Sequence, residues 1–445
     1  MSFPKYPAYK DSGVKWIGEI PTKWRLVPLK SAARFVGGGT PSKDNLQYWN
    51  GSIPWVSPKD MKSDVIVDTE DHITDKAISE TATQIVPSGN VLLVVRSGIL
   101  RHTIPVAINA MEVALNQDMK CIIINHKIYD VHYIFRLIQG ANSALLPLWS
   151  KQGATVESLE FDYISNTVFP LPPLSEQQEI ASFLDRECGK IDTLIAEQER
   201  LIALLAEKRQ AVISHAVTKG LNPNAPMKDS GIPWIGMVPE GWNIVKIGKI
   251  FSEINEPGND SLPILSVSIH SGVSDDELSE EKLDRKVTRS DDRSKYIVVR
   301  PGDLTYNMMR AWQGGFGAVQ VLGMVSPAYV VARPKNIFWQ KTVFIELLLR
   351  TPNAIVEMKR HSRGVTDFRL RLYWDEFKNI SIPLPKWEEQ NSILNFIKKK
   401  TGQFDALSMV ANKAIVLLKE RRSALISAAV TGKIDVRNQS KANAA

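Results

Sequence analysis

The stretch KDSGVKWIGEIPTKWRLVPLK, residues 10–30, returns as KDSGIPWIGMVPEGWNIVKIG at residues 228–248. Ten of the 21 positions are identical, among them the pairs Trp16/Trp234 and Trp24/Trp242. A second block runs from PLPPLSEQQEI at 170 to VTKGL ending at 221. It returns between 383 and 434 with 21 of 52 positions identical. Average residue usage would leave roughly three matches in such a window. Two long matches in the same order mean that the chain is a tandem duplication, a feature that decides the architecture before any single element does.

Between the shared blocks lie two inserts of similar length and weak mutual similarity. The chain therefore divides into a shared segment 1–30, an insert 31–169, a central shared region 170–248, an insert 249–382, a helical region 383–434 and a flexible tail 435–445. The inserts share a layout. Each has a turn before a strand-like run (SGNVLLVV at 88–95, PGDLTYNMM at 301–309) and then a helix-like run (YDVHYIFRLIQ at 129–139, WQKTVFIELLLR at 339–350). Each closes with Gly-x-Thr, at Gly153-Ala154-Thr155 and Gly364-Val365-Thr366, before returning to Pro-Leu-Pro.

The shared regions read as helices. Ser175-Glu176-Gln177-Gln178 has the form of a capping box, with Ser175 as cap and Gln178 reaching back. Pro170, Pro172 and Pro173 disfavour an earlier start. A break is expected near Gly189. Beyond it, apolar residues recur at Ile191, Leu194, Ile195, Leu201, Ile202, Leu205 and Val212, with Glu197, Arg200, Glu207 and Arg209 among the intervening charges. The second copy gives Phe404, Leu407, Ala411, Ile415, Leu418 and Leu425. A helix over 190–217 would be about 42 Å long at about 1.5 Å per residue. Such a stripe ordinarily packs against its own domain. Here two sibling helices carry it, so pairing with each other is the simplest way to bury both, with Gln198 and Lys208 as polar interruptions that limit register slippage. An antiparallel pair would place the inserts at opposite ends of a rod.

At 445 residues the chain exceeds one ordinary core. A hydrophobic content of 44% with 23% charged residues is that of a soluble globular protein. The best candidate for a membrane span, Val91 to Val95, stops at Arg96, far short of bilayer length, so no membrane partner is expected. The N-terminus shows no basic stretch leading into an apolar core, so no secretory leader is expected. Two cysteines, Cys121 and Cys188, lack neighbours at metal-ligand spacing; neither a disulfide framework nor a zinc site is expected, and a reducing cytoplasm fits. The net charge of +7 permits a polyanionic partner without requiring one.

The repeated Lys-Asp-Ser-Gly-x-x-Trp-Ile-Gly-x-(Ile/Val)-Pro-x-x-Trp resembles the conserved region of the DNA specificity subunits of type I restriction–modification systems. So do Pro-Leu-Pro-x-x-x-Glu-Gln and the paired helix ends Glu207…Arg209-x-Ala211-x-Ile213-Ser214 and Glu420…Arg422-x-Ala424-x-Ile426-Ser427. In the first insert, Gly38-Gly39-Thr40-Pro41-Ser42, Tyr48-Trp49-Asn50-Gly51 and Ile53-Pro54-Trp55-Val56 resemble the target-recognition domains of that family. The resemblance covers nearly the whole chain and its motifs occur mostly in duplicate. It implies an α+β fold: two mixed α/β target-recognition domains separated by long conserved helices in an antiparallel coiled coil, with pseudo-twofold symmetry. It also implies a non-catalytic, sequence-specific DNA-binding subunit that recognises a bipartite site in double-stranded DNA. The unlike inserts make that site asymmetric. The implied partners are two modification (methyltransferase) subunits that methylate adenine and restriction (endonuclease) subunits that translocate DNA. The chain itself would hold no cofactor or metal; S-adenosylmethionine, ATP and Mg2+ would sit on the partners. The helices and the KDSG regions would form the docking surface for the modification subunits, aided by exposed apolar residues on a second helix face.

DNA affinity comes mainly from Lys and Arg on phosphates, and sequence choice from base-edge contacts. Candidates combine turns with polar or planar side chains. Gly38, Gly39 and Thr40 follow Gly37 in a turn that would let backbone approach a phosphate. Lys59, Lys62, Arg96, Ser97, Arg101, His102, Lys151 and Gln152 complete the first set. Tyr306, Asn307, Arg310, Trp312, Gln313 and Arg363 form the second. Arg forks onto guanine, and Asn or Gln onto adenine. The basic runs Lys359-Arg360-His361 and Arg285-Lys286 to Arg289, Arg293 and Lys295 read better as solvated faces, the latter beside Asp291 and Asp292. The repeated tryptophans read as frame packing.

The rival reading is an autonomous DNA methyltransferase or nuclease. Phe35-Val36-Gly37-Gly38-Gly39 only superficially fits a methyl-donor loop, and the Asn/Asp-Pro-Pro-aromatic motif is absent; Asn222-Pro223-Asn224 does not supply it. Glu280-Glu281-Lys282 lacks the preceding Pro-Asp of a nuclease, no Walker loop occurs, and the seven histidines form no ligand pair, so no catalytic and no metal residue is assigned. A purely structural scaffold would explain the helices but not two divergent inserts in matched frames.

Overall fold

The computed structural model describes residues 3–153, 155–269, 272–277, 292–336, 341–365 and 369–437. Ala154, Thr366 and the runs 280–282 and 285–291 singled out above lie outside the described residues. The chain forms two compact units. One comprises residues 1–199 with 413–445, the other residues 200–412. The division is not linear in sequence, because the C-terminal helical region contributes to both units.

In the first unit the insert folds as two sheets. A five-stranded sheet has the order Ala33–Gly37, Met119–Ile124, Val91–Val94, Val106–Asn109, Val65–Ile66. A four-stranded sheet has the order Asp71–Ile73, Trp49–Val56, Val113–Leu115, Ile85–Val86. Val91–Val94 is central and wholly buried, which is why its run is apolar without alternation. Helix Val131–Gly140 follows, capped by the Asp130 side chain, which accepts from the Tyr133 amide at 3.0 Å. In the second unit a four-stranded sheet has the order Phe251–Ile254, Tyr329–Pro334, Leu304–Asn307, Phe316–Ala318, and helix Thr342–Leu349 takes the place of Val131–Gly140. The strand and helix expected in each insert are present in both.

The shared frame is built twice from the same bonds. Hairpin Tyr9–Asp11/Glu19–Pro21 has its counterpart in Met227–Asp229/Met237–Pro239, and ladder Arg25–Pro28/Val168–Leu171 in Asn243–Lys246/Ser381–Leu384. Trp24 and Trp242 are fully buried, and each donates its indole N–H to a glutamate, Glu176 at 3.1 Å and Glu389 at 2.9 Å. The adjoining glutamines bind backbone. Gln177 accepts from the Asp130 amide at 2.8 Å and donates to the Ile128 and Pro172 carbonyls at 3.0 and 2.9 Å. Gln390 accepts from the Lys341 amide at 2.7 Å and donates to the Pro385 carbonyl at 2.8 Å. The Glu-Gln dipeptide thus ties the KDSG segment with one residue and the start of the insert helix with the next. Glu176, Gln177 and Gln390 are buried and Glu389 is half-buried, and unpaired polar groups in such places are costly.

Two helices dominate the shared regions: a central helix, Leu174–Lys219, and a terminal helix, Trp387–Val430. The central helix begins one residue before Ser175, so Ser175 lies inside the first turn and is not its cap. It also runs without interruption through Gly189, where a break was expected. A glycine costs about 1 kcal/mol in a helix, and the surrounding buried residues Phe183, Leu184, Cys188 and Ile191 outweigh it. Between Ile191 and Val212, only residues 191, 195, 198, 202, 205, 209 and 212 are shielded from solvent. Positions 404, 408, 411, 415, 418, 422 and 425 repeat that spacing on the terminal helix. Gaps of four and three residues in alternation are the two-in-seven seam of a coiled coil.

This narrows the stripe. Ile191, Leu205, Val212, Phe404, Ile415, Leu418 and Leu425 lie on the seam. Leu194, Leu201 and Leu407 do not; they are 45%, 40% and 52% exposed. Arg209, not Lys208, is the charged seam residue. It pairs with Asp405 inside the second unit, while in the first unit its counterpart Arg422 pairs with Asp192 at 2.9 Å. Asp192 and Asp405 are themselves counterparts, so equivalent residues exchange roles.

The first unit is completed by both chain ends. The Asp435 amide donates to the Pro4 carbonyl at 2.8 Å, Tyr9 donates to the Gly432 carbonyl at 3.1 Å, and Val436 is 2% exposed. Residues 435–437 are therefore packed, contrary to the flexible tail expected there. Cys121 and Cys188 are free and buried, and burial pushes the Cys121 thiol up to about 12. Among the described residues no helix is long and apolar enough to cross a membrane.

Two stability measurements check this account. Leu205→Ala should cost about 2–3 kcal/mol in denaturant unfolding, whereas Leu204→Ala, one residue off the seam, should change stability by less than about 0.5 kcal/mol. Gln177→Ala should cost about 2–4 kcal/mol, since it strands the Asp130 amide and two carbonyls.

Candidate nucleic-acid interface

In each unit the central sheet strand runs into a loop, and a second loop returns against it before the chain re-enters the frame. In the first unit the loops are 95–105 and 150–160. The Leu159 amide donates to the Val95 carbonyl at 2.8 Å and the Ser97 amide to the Glu157 carbonyl at 3.0 Å. Arg96 and Ser158 form an antiparallel bridge, and Ser150 pairs with Leu159 to close the second loop. The second unit repeats the join. The Leu372 amide donates to the Met308 carbonyl at 2.9 Å, and Arg363 and Arg371 exchange backbone bonds at 2.9 Å each way. The Met308–Leu372 bond lies 213 positions after Val95–Leu159, the offset of the duplication, whereas Arg363, the counterpart of Ser150, pairs with Arg371 where Ser150 pairs with Leu159.

The first join gathers most of the candidates from its insert. Arg96 is exposed and has no ion pair or side-chain hydrogen bond among the described residues. Ser97 accepts from the Ile99 amide at 3.4 Å, shaping the loop. Arg101 pairs with Glu157, and this contact raises the arginine's pKa and lowers the glutamate's. Lys151 faces Glu160 at 3.4 Å, and Gln152 beside it is exposed. His102 is exposed but turns to a neighbouring cleft lined by Met61, Lys62, Asn142 and Ser143. Lys59 sits apart, held by Asp71 at 2.9 Å and Glu70 at 3.3 Å.

The glycine turn reaches the same edge through residues 116–118. The Gly39 amide donates to the Leu115 carbonyl at 2.8 Å, Thr40 bonds Gln117, and the Arg96 amide donates to the Asp118 carbonyl at 3.3 Å. A Cβ on Gly38 would lie 1.9 Å from the Asn116 carbonyl oxygen. Packing against that carbonyl, not approach to a phosphate, accounts for this glycine.

In the second unit the first loop is a tight turn. Asn307 accepts from the Met309 amide at 2.9 Å, Trp312 donates to the Met309 carbonyl at 3.0 Å, and Gly314 takes a left-handed φ of 83°. Lys359 lies 5.4 Å from the Trp312 ring centroid, a cation–π arrangement. Gln313 is exposed, and Arg310, half-buried, has no side-chain partner among the described residues. Arg363 pairs with Glu376. Tyr306 must be removed from the candidates. It is fully buried, with Phe377 at 4.7 Å and Phe316 at 5.1 Å, and strand alternation turns it into the core.

The sequence reading missed Arg369, Arg371 and Tyr373. All three are exposed, and they line one cleft with Met309, Arg363 and Gly364. The signal was the alternation Arg-Leu-Arg-Leu-Tyr at 369–373, in which Leu370 and Leu372 are buried. Chemically, each join is an exposed edge of fixed backbone bearing arginine, amide and hydroxyl groups. That donor set suits base edges and phosphates. Among the described residues no group of three His, Cys, Asp or Glu could hold a metal ion.

Residues 21–201 match the model of the family described as the type I restriction modification DNA specificity domain. The chain is 38% identical over 196 residues to the EcoR124I/EcoR124II specificity subunit of Escherichia coli, a match spanning 44% of this chain and 46% of that protein. It is 26% identical to the MjaIX specificity subunit of Methanocaldococcus jannaschii over 94% of this chain and 95% of that one. Among solved structures, one concerning assembly and conformational transition of the type I R-M system superposes with a TM-score of 0.63 at 16% identity, covering 92% of this chain and 98% of its own. The HsdS subunit from Thermoanaerobacter tengcongensis gives 0.50 at 18% identity, covering 93% and 98%. Residues 21–201 thus match a type I restriction modification DNA specificity domain, and the chain is similar to the specificity subunits of type I restriction enzymes, although it spans less than half the length of the EcoR124I/EcoR124II subunit.

Proposed function

We propose that the chain reads an asymmetric, bipartite sequence in double-stranded DNA, one half-site per unit, and lends that address to partner subunits. It performs no chemistry itself. Modification subunits carrying S-adenosylmethionine methylate adenine at the site, and restriction subunits using ATP and Mg2+ act where it is unmodified. The observation that carries this reading is the join described above: one backbone frame, occurring twice, with unlike side chains at its exposed edge. A frame duplicated for stability alone would have no reason to diverge there. Each long helix contributes residues to both units, and in this reading helix length sets the unread spacer.

The test is reconstitution with the modification subunits and mapping of methylated adenines. Exchanging residues 31–169 for the insert of a relative should change one half-site and leave the other. One heptad added to each long helix, about 10.5 Å of rise, should lengthen the preferred spacer by about three base pairs. Unchanged half-sites and spacing would refute the reading, as would methyl transfer by the chain alone.

The apolar residues off the seam supply a docking face for the modification subunits. Leu194, Leu201 and Leu204 on the central helix, and Leu407, Met409 and Val410 on the terminal helix, are all exposed, and none is needed for helix pairing. Leu204→Glu combined with Met409→Glu should abolish co-purification with the modification subunits while leaving the melting temperature of the isolated chain within about 2 °C of wild type.

A further inference from the structure

Each join carries one exposed arginine with no ion pair or side-chain hydrogen bond among the described residues, but from opposite loops; Arg310, on the first loop of the second unit, is also without such a partner but is half-buried. In the first unit the bridged pair is Arg96 and Ser158. The counterparts 213 positions later are Met309 and Arg371, which line a common cleft. Arginine stands on the first loop in one unit and on the second loop in the other, each time facing a small or flexible neutral residue.

Three of the neighbouring charges are already satisfied. Arg101 is taken by Glu157, Lys151 by Glu160 and Arg363 by Glu376. Arg96 and Arg371 are exposed and have no ion pair or side-chain hydrogen bond among the described residues. Their backbones, in contrast, are fixed. Arg371 exchanges two bonds with Arg363 and lies between the buried Leu370 and Leu372; the Arg96 amide is held by Asp118, next to the buried Val95. An exposed guanidinium on a rigid mount, with paired charges beside it, is poorly suited to general attraction of phosphates, which needs clustered unpaired charge. It is well suited to one directional contact. The planar fork matches the O6 and N7 acceptors of guanine, and no other base presents that pair in the major groove.

Resting on the functional reading above, we propose that Arg96 and Arg371 are the guanine-reading residues of this chain. Each half-site then contains a G·C pair that is recognised by one arginine.

The experiment uses the chain assembled with its modification subunits and a randomised duplex library, with methylated sequences read out. The wild-type consensus should contain a G·C pair in both half-sites. Arg371→Ala should admit all four bases at one position of a single half-site, with discrimination there falling about 5- to 150-fold, the range that one bidentate pair supplies. Arg96→Ala should do the same in the other half-site. Arg371→Lys, which keeps the charge and loses the fork, should also relax that position. Melting of the isolated chain should be unchanged in all three variants, since neither side chain has a partner among the described residues. An unchanged consensus with uniformly slower methylation, or restoration of discrimination by lysine, would identify phosphate contacts and overturn the proposal. So would a half-site without G·C. A wild-type complex with no bipartite consensus at all would instead defeat the underlying functional reading.

Discussion

The two-in-seven seam shared by the long helices is the constraint on which the rest of the molecule hangs. Neither helix can bury its stripe alone, and each unit is completed only when segments from both helices meet within it. In the first unit the core joins Phe183 and Leu184 to Ile426, Ala429 and Val430. In the second it joins Ile213, Ala216 and Val217 to Ile393 and Ile397. The contiguous stretch of chain is therefore not the folding unit. A seam of only two residues per heptad also leaves the remaining apolar residues outward.

Against this shared frame, the two joins show how one backbone solution supports two chemistries. The bonds that hold loop to loop are main-chain bonds in both units, so the side chains at the edge are free to differ. The first unit spends most of its charges on local pairs, Arg101 with Glu157 and Lys151 with Glu160, whereas the second collects Arg369, Arg371 and Tyr373 beside a cation–π pair. Such exposed pairs add little to stability; their effect is to decide which charges remain available.

Much of this architecture was legible in the sequence because duplication supplies its own control. Trp24 and Trp242, the strand and helix of each insert, and the recurrence of Ile191 and Ile202 in Phe404 and Ile415 all stand out when one half is laid on the other. What stayed hidden involves tertiary context. Gly189 looked like a break because local propensity is weak beside the burial of its neighbours. Leu194 and Leu407 looked like seam residues because a 3.6-residue stripe and a 3.5-residue seam diverge only over several turns. Tyr306 looked like a reader because its loop begins one residue later, and the inward phase of a strand is set by the sheet. Arg371 escaped because alternation over five residues announces a face without saying which side is the core. Burial of neighbours and the phase of a helix or strand against its partner decide these, and both leave little trace in residue type.

Gln177 and Gln390 grip the inserts through peptide groups: the Asp130 amide and Ile128 carbonyl in one unit, the Lys341 amide in the other. Every polypeptide carries those groups whatever its side chains. The socket is consequently blind to the cargo it holds, and a foreign insert needs only to bring a helix start to the same place to be accepted. Specificity can then be replaced wholesale, by recombination at the frame, without renegotiating the fold.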